Sequence, residues 1–227
     1  MINKKKKITK KELKEDKLVT TFYNTRTFIE TNQQKLLIVV GAIAVVIIAL
    51  IWYSNKKSDD NLIASQQLSF ILPIYEKGSF QEAIDGRPGT GLVGLKSIVE
   101  NYGNTEQGEI AKIYLANSYF ALADYENALE YFKDYSGGSK IHKASAYAGV
   151  AGCYEQKKKF ANAAEYLNKA AKITELESQK ADYLLHAAIN LISSGDNNQA
   201  KLFLEKIKID YKTSTAAAQV DKFLAQL

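Results

Sequence analysis

One segment of the chain repeats at an interval of 35 residues, and this repetition limits the possible folds more than any other feature. LADYENALEYF (122–132) returns as KFANAAEYL (159–167). The matched positions keep their size and polarity, and they are Tyr125 and Phe160, Ala128 and Ala163, and Phe132 and Leu167. Apolar and small residues at this spacing predict a helix that begins just after a short turn. The chain therefore restates one helix–turn–helix unit.

Two further copies flank this pair. The later copy, 184–207, is offset by 37 residues because the connection before it is longer. The earlier and fainter copy is SFILPIYEKGSFQEAI (69–84), in which Gly78, Phe80 and Ala83 occupy the turn and the second helix. Small side chains at the matched positions allow the two helices of each unit to approach closely. The chain after about residue 62 is thus predicted to be a series of helical hairpins.

A repeat of about 34 residues with small residues at the helix crossings resembles the tetratricopeptide repeat. Each hairpin of such an array leaves an apolar face that the next hairpin covers. The fold class implied is all-α, with a single N-terminal transmembrane helix followed by an α-solenoid. The solenoid would contain about four helix hairpins over residues 62–227. TAAAQVDKFLAQL (215–227) is predicted to be a C-terminal capping helix.

A second constraint is the run LLIVVGAIAVVIIALIWY, 36–53, which contains no charged residue over eighteen positions. As a helix it would cover about 27 Å, close to the hydrocarbon thickness of a bilayer. Trp52 and Tyr53 suit the headgroup level, and Lys35 and Lys56 flank the run. The alternatives are a buried core helix and a cleaved signal peptide. Because 35 residues precede the run and WYSNKK offers no small-x-small cleavage site, an uncleaved anchor is expected.

The net charge of +5 is unevenly distributed. Residues 1–35 contain ten basic and four acidic residues, a net charge of +6, whereas the remainder carries −1. The high isoelectric point belongs to this tail, so it gives no reason to expect a nucleic-acid partner. Basic segments stay on the cytoplasmic side of a membrane. We therefore expect a cytoplasmic tail (1–35), an inner-membrane span (36–53), a polar linker (54–61) and, in a Gram-negative cell, a periplasmic domain (62–227).

The basic tail has features of a helix. TKKE (9–12) fits a capping box, in which a threonine and a glutamate satisfy free N–H groups at a helix start. Leu18, Phe22 and Ile29, with Val19 and Tyr23 beside them, suggest an apolar stripe. Two interpretations remain open. The tail is either an amphipathic helix on the inner leaflet or a solvated basic arm that only sets topology.

A glycine-rich insertion interrupts the first repeat. It contains GTGLVGLKS (89–97), which is close to the phosphate-binding GxxxxGK[ST] motif. Here Leu95 separates Gly94 from Lys96, and no strand is predicted before the loop. We interpret the segment as a flexible connection followed by a helix from about Leu92 to Tyr102.

Residues that carry chemistry are few. The single cysteine, Cys153, lies among small residues on a predicted helix, where a buried inert thiol is expected. His142 and His186 form no metal or catalytic motif. We therefore expect no enzyme activity, no catalytic residue, no cofactor, no metal and no small-molecule substrate.

A repeat array offers instead a groove lined by the first helix of each hairpin. The inward positions of the tetratricopeptide pattern, carried onto this chain, predict a protein-binding groove formed by Ile113, Asn117, Phe120, Glu155, Leu185, Ile189 and Ile192, with Ala148 and Gly152 between them. Apolar and small residues at these positions suit an extended or helical peptide. The alternative is that several of them pack against the capping helix.

The order of these parts, together with VENYGNTEQGEIAKIYLANSYFALADYENALEYF (99–132), resembles the YfgM-like family over about residues 28–227. Members of that family are ancillary subunits of the SecYEG translocon. The resemblance implies a periplasmic scaffold that works beside a PpiD-like chaperone on translocating chains. An envelope-assembly or cell-wall-synthesis scaffold of the inner membrane is the alternative function, and an enzyme is the third.

Overall fold

The structure is a computed structural model that describes the backbone of residues 10–227 and the side chains of Lys17 and residues 19–227. The capping box predicted at 9–12 lies outside the described residues. The chain divides into two compact units, Met1–Lys56 and Lys57–Leu227.

The first unit is built from helix α1, which is assigned as Lys10–Glu76 and so runs on into the second unit. The backbone leaves helical geometry at Asn32, where φ is −112° and ψ is 17°. Every residue from 37 to 53 is exposed. Among the described residues, one helix is both long enough and apolar enough to cross a membrane, and it is this one. None of its most apolar segment is buried. The predicted apolar run is therefore helical and compatible with a membrane span.

The second unit contains the end of α1 and a succession of shorter elements. Residues 54–61, predicted as a polar linker, are helical and belong to α1. The elements that follow are α2 (Phe80–Asp85), β1 (Gly86–Arg87), β2 (Leu92–Val93), α3 (Leu95–Tyr102), α4 (Glu106–Ala121), α5 (Tyr125–Asp134), α6 (Lys140–Gln156), α7 (Phe160–Ile173), α8 (Glu177–Ser194), α9 (Asn197–Asp210) and α10 (Val220–Leu224). Helices make up 81% of the structure, so the mainly helical class is confirmed.

Four pairs of successive helices are each joined by the same type of turn. The pairs are the end of α1 with α2, α4 with α5, α6 with α7, and α8 with α9. In the last pair, the N–H of Gly195 donates to the carbonyl of Ile192 at 3.0 Å, and that of Asp196 donates to Leu191 at 2.9 Å. These two bonds define a Schellman motif, and the same two bonds recur in the other three turns.

Each turn also contains one residue in the left-handed region, where the chain reverses. These residues are Gly78 (φ 80°), Ala123 (φ 60°), Lys158 (φ 57°) and Gly195 (φ 84°). They are 45, 35 and 37 residues apart, the same intervals that separate the repeated sequence segments. The repetition in the sequence thus coincides with a repetition in backbone geometry.

One alanine packs at the crossing of each pair. Ala83, Ala128, Ala163 and Ala200 are all 0% exposed, and each is the fourth residue of the second helix. A methyl group is the largest side chain that leaves the two helix backbones close together, which explains why the sequence repeats alanine here.

The glycine-rich insertion differs from the expectation. Gly86 pairs with Val93 and Arg87 with Leu92 in a small antiparallel hairpin, so α3 begins at Leu95 rather than at Leu92. A Cβ atom on Gly86 would lie 2.3 Å from the carbonyl oxygen of Leu92, which explains the need for glycine at this close approach. Short strands of two residues leave no alternation for the sequence to reveal.

The core consists of three groups of buried side chains along the array. The first centres on α7, α8 and α9, the second on the end of α1 with α2, α3 and α4, and the third on α4, α5 and α6. The predicted closing helix is shorter than 215–227, because a 3₁₀ turn (Ala217–Gln219) precedes α10. Val220 nevertheless lies in the first cluster and is 0% exposed.

Candidate functional site

The first helices of three successive pairs, α4, α6 and α8, are neighbours. The Phe120 ring on α4 is 3.3 Å from the point where a Cβ atom on Gly152 of α6 would lie. Glu155 on α6 accepts a hydrogen bond from the side-chain amide of Asn190 on α8. We call the surface that these three helices share the first-helix face.

The seven predicted groove residues divide into two groups in the structure. Ile113 is 9% exposed and Leu185 is 4% exposed, and they lie in different core clusters. The other five side chains reach the surface while remaining half-buried, and they are Asn117, Phe120, Glu155, Ile189 and Ile192. The side chains of this second group are the part of the predicted groove that a partner can touch without rearrangement of the core.

Some residues of this half-buried group also pack against other side chains of the protein. The Phe120 ring contacts that of Tyr125 edge to face, with 5.3 Å between centroids. Ile189 and Ile192 pack against the cluster that contains Val220 from the C-terminal element. The alternative that some groove positions support the end of the array therefore stays open for these two isoleucines.

Asn190 is a residue of this face that sequence reasoning missed. It is 4% exposed, and its amide nitrogen also donates to the carbonyl of His186 at 2.9 Å. A buried amide must find partners, so its bond to Glu155 fixes the register of α8 against α6. The available signal was an amide side chain within LLHAAINLI (184–192), a stretch in which His186 and Asn190 are the polar residues.

A second set of polar residues is buried beneath the loop between α5 and α6. Lys112 Nζ lies 3.0 Å from Glu109 Oε1 and 2.8 Å from Asp134 Oδ2. Glu109 also accepts from the backbone N–H of Ser136 at 2.8 Å and from its hydroxyl at 2.6 Å. Glu109 and Lys112 are 6% and 7% exposed, so this network ties the loop to α4.

The charged form of Lys112 is stabilised within the network. Burial by itself lowers the pKa of Lys112, but hydrogen bonds and attraction from Asp134 and Glu109 outweigh burial and raise it above its ordinary value. Burial, with a smaller contribution from the charge of Glu109, raises the pKa of the neighbouring Tyr135 hydroxyl. Lysine and tyrosine are thus both protonated at neutral pH.

The same loop forms one wall of a cleft of about 500 Å³. The start of α4, including Glu106, also lines the cleft, together with Lys57 and His142. The side chains that line the cleft carry both signs of charge.

Cys153 is 0% exposed. Burial raises the pKa of its thiol to about 11, so the reactive thiolate is scarce at neutral pH. Among the residues whose side chains the structure describes, there is no group of three or more histidine, cysteine, aspartate or glutamate residues that could hold a metal ion.

Comparison of the chain with protein-family models, with curated proteins and with solved structures finds no match. The class that the structure itself defines is a mainly helical protein with one candidate membrane helix.

Proposed function

We propose that this chain is a membrane-anchored scaffold for protein–protein interaction, built as a tetratricopeptide-like solenoid. The observation that carries the proposal is the fourfold repetition of one helical pair with one Schellman turn and one buried alanine. Stacked hairpins of this kind expose a continuous surface over several helices, and that surface is what such arrays offer to partners. The body acts by contact and performs no covalent chemistry.

The anchor is the apolar run 36–53, in which every residue from 37 to 53 is exposed. An uninterrupted apolar helix of this length is stable in lipid, where its backbone groups are satisfied internally, and it is unfavourable in water. The net charge of +6 on residues 1–35 favours a cytoplasmic N-terminus. The helical body then lies in the periplasm of a Gram-negative cell, held at the inner membrane.

The partner that the sequence resemblance favours is the Sec translocon. In this role the chain is an accessory component that assists a PpiD-like chaperone with newly translocated proteins. Tethering to the membrane raises the effective concentration of the scaffold near the channel, so weak contacts suffice. The half-buried residues of the first-helix face are the proposed contact region.

Purification of the full-length chain from membranes in a mild detergent, with mass spectrometry of the bound proteins, tests this function. Stoichiometric SecY together with a PpiD-like chaperone supports the proposal. Recovery of outer-membrane-assembly or cell-wall-synthesis factors in their place would refute it in favour of the envelope-assembly scaffold, the second candidate.

A matched pair of variants tests the contact region. Asn117→Arg places a large charge on the first-helix face, whereas Asn162→Arg makes the same change at an exposed position of the second helix α7. We expect Asn117→Arg to reduce the recovered partner several-fold and Asn162→Arg to leave it unchanged. Equal recovery with both variants would exclude this face as the contact.

A further inference from the structure

At the N-terminal end of the helical array, one large apolar side chain is exposed at a position that is buried in each later pair. Eight residues before the left-handed turn residue, the first helices of the four pairs have Phe70, Leu115, Val150 and Ala187. The last three are each 0% exposed, whereas Phe70 is 62% exposed. The repeat therefore assigns Phe70 to the side of α1 that a preceding pair would cover.

In the later pairs, the preceding pair supplies this cover. Leu115 belongs to a core cluster with residues of α1 and α2, and Val150 belongs to one with residues of α4 and α5. Ala187 likewise shares its cluster with residues of α7. Each hairpin of such an array leaves an apolar face for its neighbour to cover. Residues 36–53, which come before this part of α1 in the sequence, are the proposed membrane span and not a helical pair.

The exposed side of α1 is uncharged over three turns. At 3.6 residues per turn, six residues between positions 60 and 76 fall within about a third of the circumference. All six are exposed, and they are Leu62, Ile63, Gln66, Ser69, Phe70 and Pro73. We call these six residues the end face. Charged residues follow on the same side beyond its two ends, at Asp59 and Lys77.

The C-terminal end of the array, in contrast, has a cover. Leu204 of α9, the last second helix, is 0% exposed. It shares a cluster with Ala216 and Val220 of the C-terminal element, which are 0% exposed as well. Terminal repeats of an array need such a cover or a polar outer face. The end face has neither, since Leu62 is 71% exposed and Phe70 is 62% exposed.

The character of the end face favours a second copy of this chain as its cover. Because its six residues are uncharged, two copies of the face meet without repulsion between like charges. The covered C-terminal end offers no matching surface, so the contact joins like to like, as a two-fold interface does. The proposed anchor also gives all copies one orientation in the membrane and raises their effective concentration.

We propose that two copies of this chain pair through the end face, about a two-fold axis perpendicular to the membrane, with Gln66 near the axis. Leu62 and Phe70 pack on either side of it, and the two Gln66 amides hydrogen-bond to each other. One polar residue within an apolar helix contact fixes the register of the two helices. The inference goes beyond the proposed function and rests on its membrane anchor. The pair presents two first-helix faces to partners, which makes binding bivalent.

Disulfide formation by the full-length chain in the membranes of expressing cells tests the pairing. Gln66→Cys places a thiol on the end face, and Gln199→Cys makes the same change at an exposed position of α9. The unaltered chain is the blank, because its Cys153 is 0% exposed. We expect oxidation to give several-fold more covalent dimer with Gln66→Cys than with Gln199→Cys, at low as well as high expression.

Equal dimer yields from the two cysteine variants would show random collision in the membrane and would overturn the inference, as would the absence of a dimer with Gln66→Cys. An adduct of Gln66→Cys with a different protein, in place of the dimer, would assign the end face to another partner and overturn it equally.

Charge exchange at the axis tests the two-fold geometry. Gln66→Glu or Gln66→Lys alone places like charges opposite each other, and we expect each to lower the recovery of dimer in mild detergent several-fold. Co-expression of the two variants with different affinity tags should restore recovery of the mixed dimer, because opposite charges then meet. Circular dichroism checks that both variants keep their helix content. A mixed dimer no more abundant than the dimers of the single variants would contradict the proposed contact.

Alkaline carbonate extraction of the same membranes separates this inference from the proposed function. A retained chain that gives no Gln66→Cys dimer leaves the anchor intact and refutes the pairing. Release of the chain by carbonate refutes the anchor, and with it the common orientation on which the pairing rests.

Discussion

At two of the turn residues the side chain disfavours the left-handed backbone conformation that the turn requires. Ala123 and Lys158 adopt φ values of 60° and 57°, where a Cβ atom crowds the following carbonyl. The equivalent positions in the other two turns are glycines, which adopt this conformation without strain. Two of the four turns therefore have a glycine at the left-handed position, and the other two have a residue for which this conformation is strained.

Replacing Lys158 by glycine should stabilise the protein. Relief of the strained φ outweighs the extra flexibility that glycine gives the unfolded chain, and we expect Lys158→Gly to raise the free energy of unfolding by about 0.5–1 kcal/mol. Gly195→Ala, in open space but with φ at 84°, should lower it by about 1 kcal/mol. Urea midpoints in detergent measure both changes, and a destabilised Lys158→Gly variant would contradict the argument.

The buried ion pair of Glu109 and Lys112 makes a second prediction for single residues. Lys112→Met leaves the Glu109 carboxylate buried without its cation, and we expect a loss of about 3 kcal/mol in the free energy of unfolding. Adding Glu109→Gln to Lys112→Met should recover part of that loss, because no unpaired charge then remains buried. Urea unfolding of the two single variants and the double variant measures the coupling. Strictly additive losses would show that the two residues do not act as a pair.

The contact between α3 and α4 depends on one glycine. A Cβ atom on Gly108, in the first turn of α4, would lie 1.8 Å from the carbonyl oxygen of Tyr102, the last residue of α3. The obstacle is backbone, so no side-chain rotation relieves it. This approach sets how the inserted helix α3 joins the repeated pairs.

Gly108→Ala should therefore lower the free energy of unfolding by about 3 kcal/mol, the upper end for overpacking. Gly138→Ala is the matched control, because a Cβ atom there would meet nothing within 4 Å, and it should be neutral. Thermal melting followed by circular dichroism compares the two. Similar melting temperatures for both variants would mean that α3 shifts away at no cost.

Across the whole helical body, several groups favour the protonated state on folding. Burial raises the pKa of the hydroxyl groups of Tyr75, Tyr119, Tyr131, Tyr135 and Tyr183 above 10.0. For Lys112, burial lowers the pKa, but the hydrogen bonds that its ammonium donates to Asp134 and Glu109 outweigh burial and raise the pKa above 10.5. A group whose pKa is raised by folding contributes its stability below its unfolded pKa. That contribution is lost as the pH rises through the folded value.

The contribution of these groups to the free energy of unfolding should accordingly stay constant through neutral pH and fall steeply above about pH 10. Melting temperatures measured from pH 7 upward in one detergent test this expectation, and Tyr119→Phe should make the fall shallower. An unchanged melting temperature well above pH 10 would contradict the prediction.

The repeated pairs and the apolar helix could be predicted from the sequence because both depend on local patterns. Helix α5 begins at Tyr125 and α7 at Phe160, and the alanine three positions later is buried in both. Spacing and side-chain size alone dictate where such a helix begins and which residue lies at the crossing. The same holds for residues 36–53, whose composition leaves no polar face.

The depth of each side chain was decided only by the tertiary structure. Ile113 and Leu185 are buried, although the repeat pattern places them with residues that reach the surface. Glu155 meets Asn190 across 35 residues of sequence, and Lys112 meets the Asp134 backbone across 22. Periodicity assigns a residue to a face, whereas burial and pairing depend on neighbours from distant segments that only the packed chain brings together.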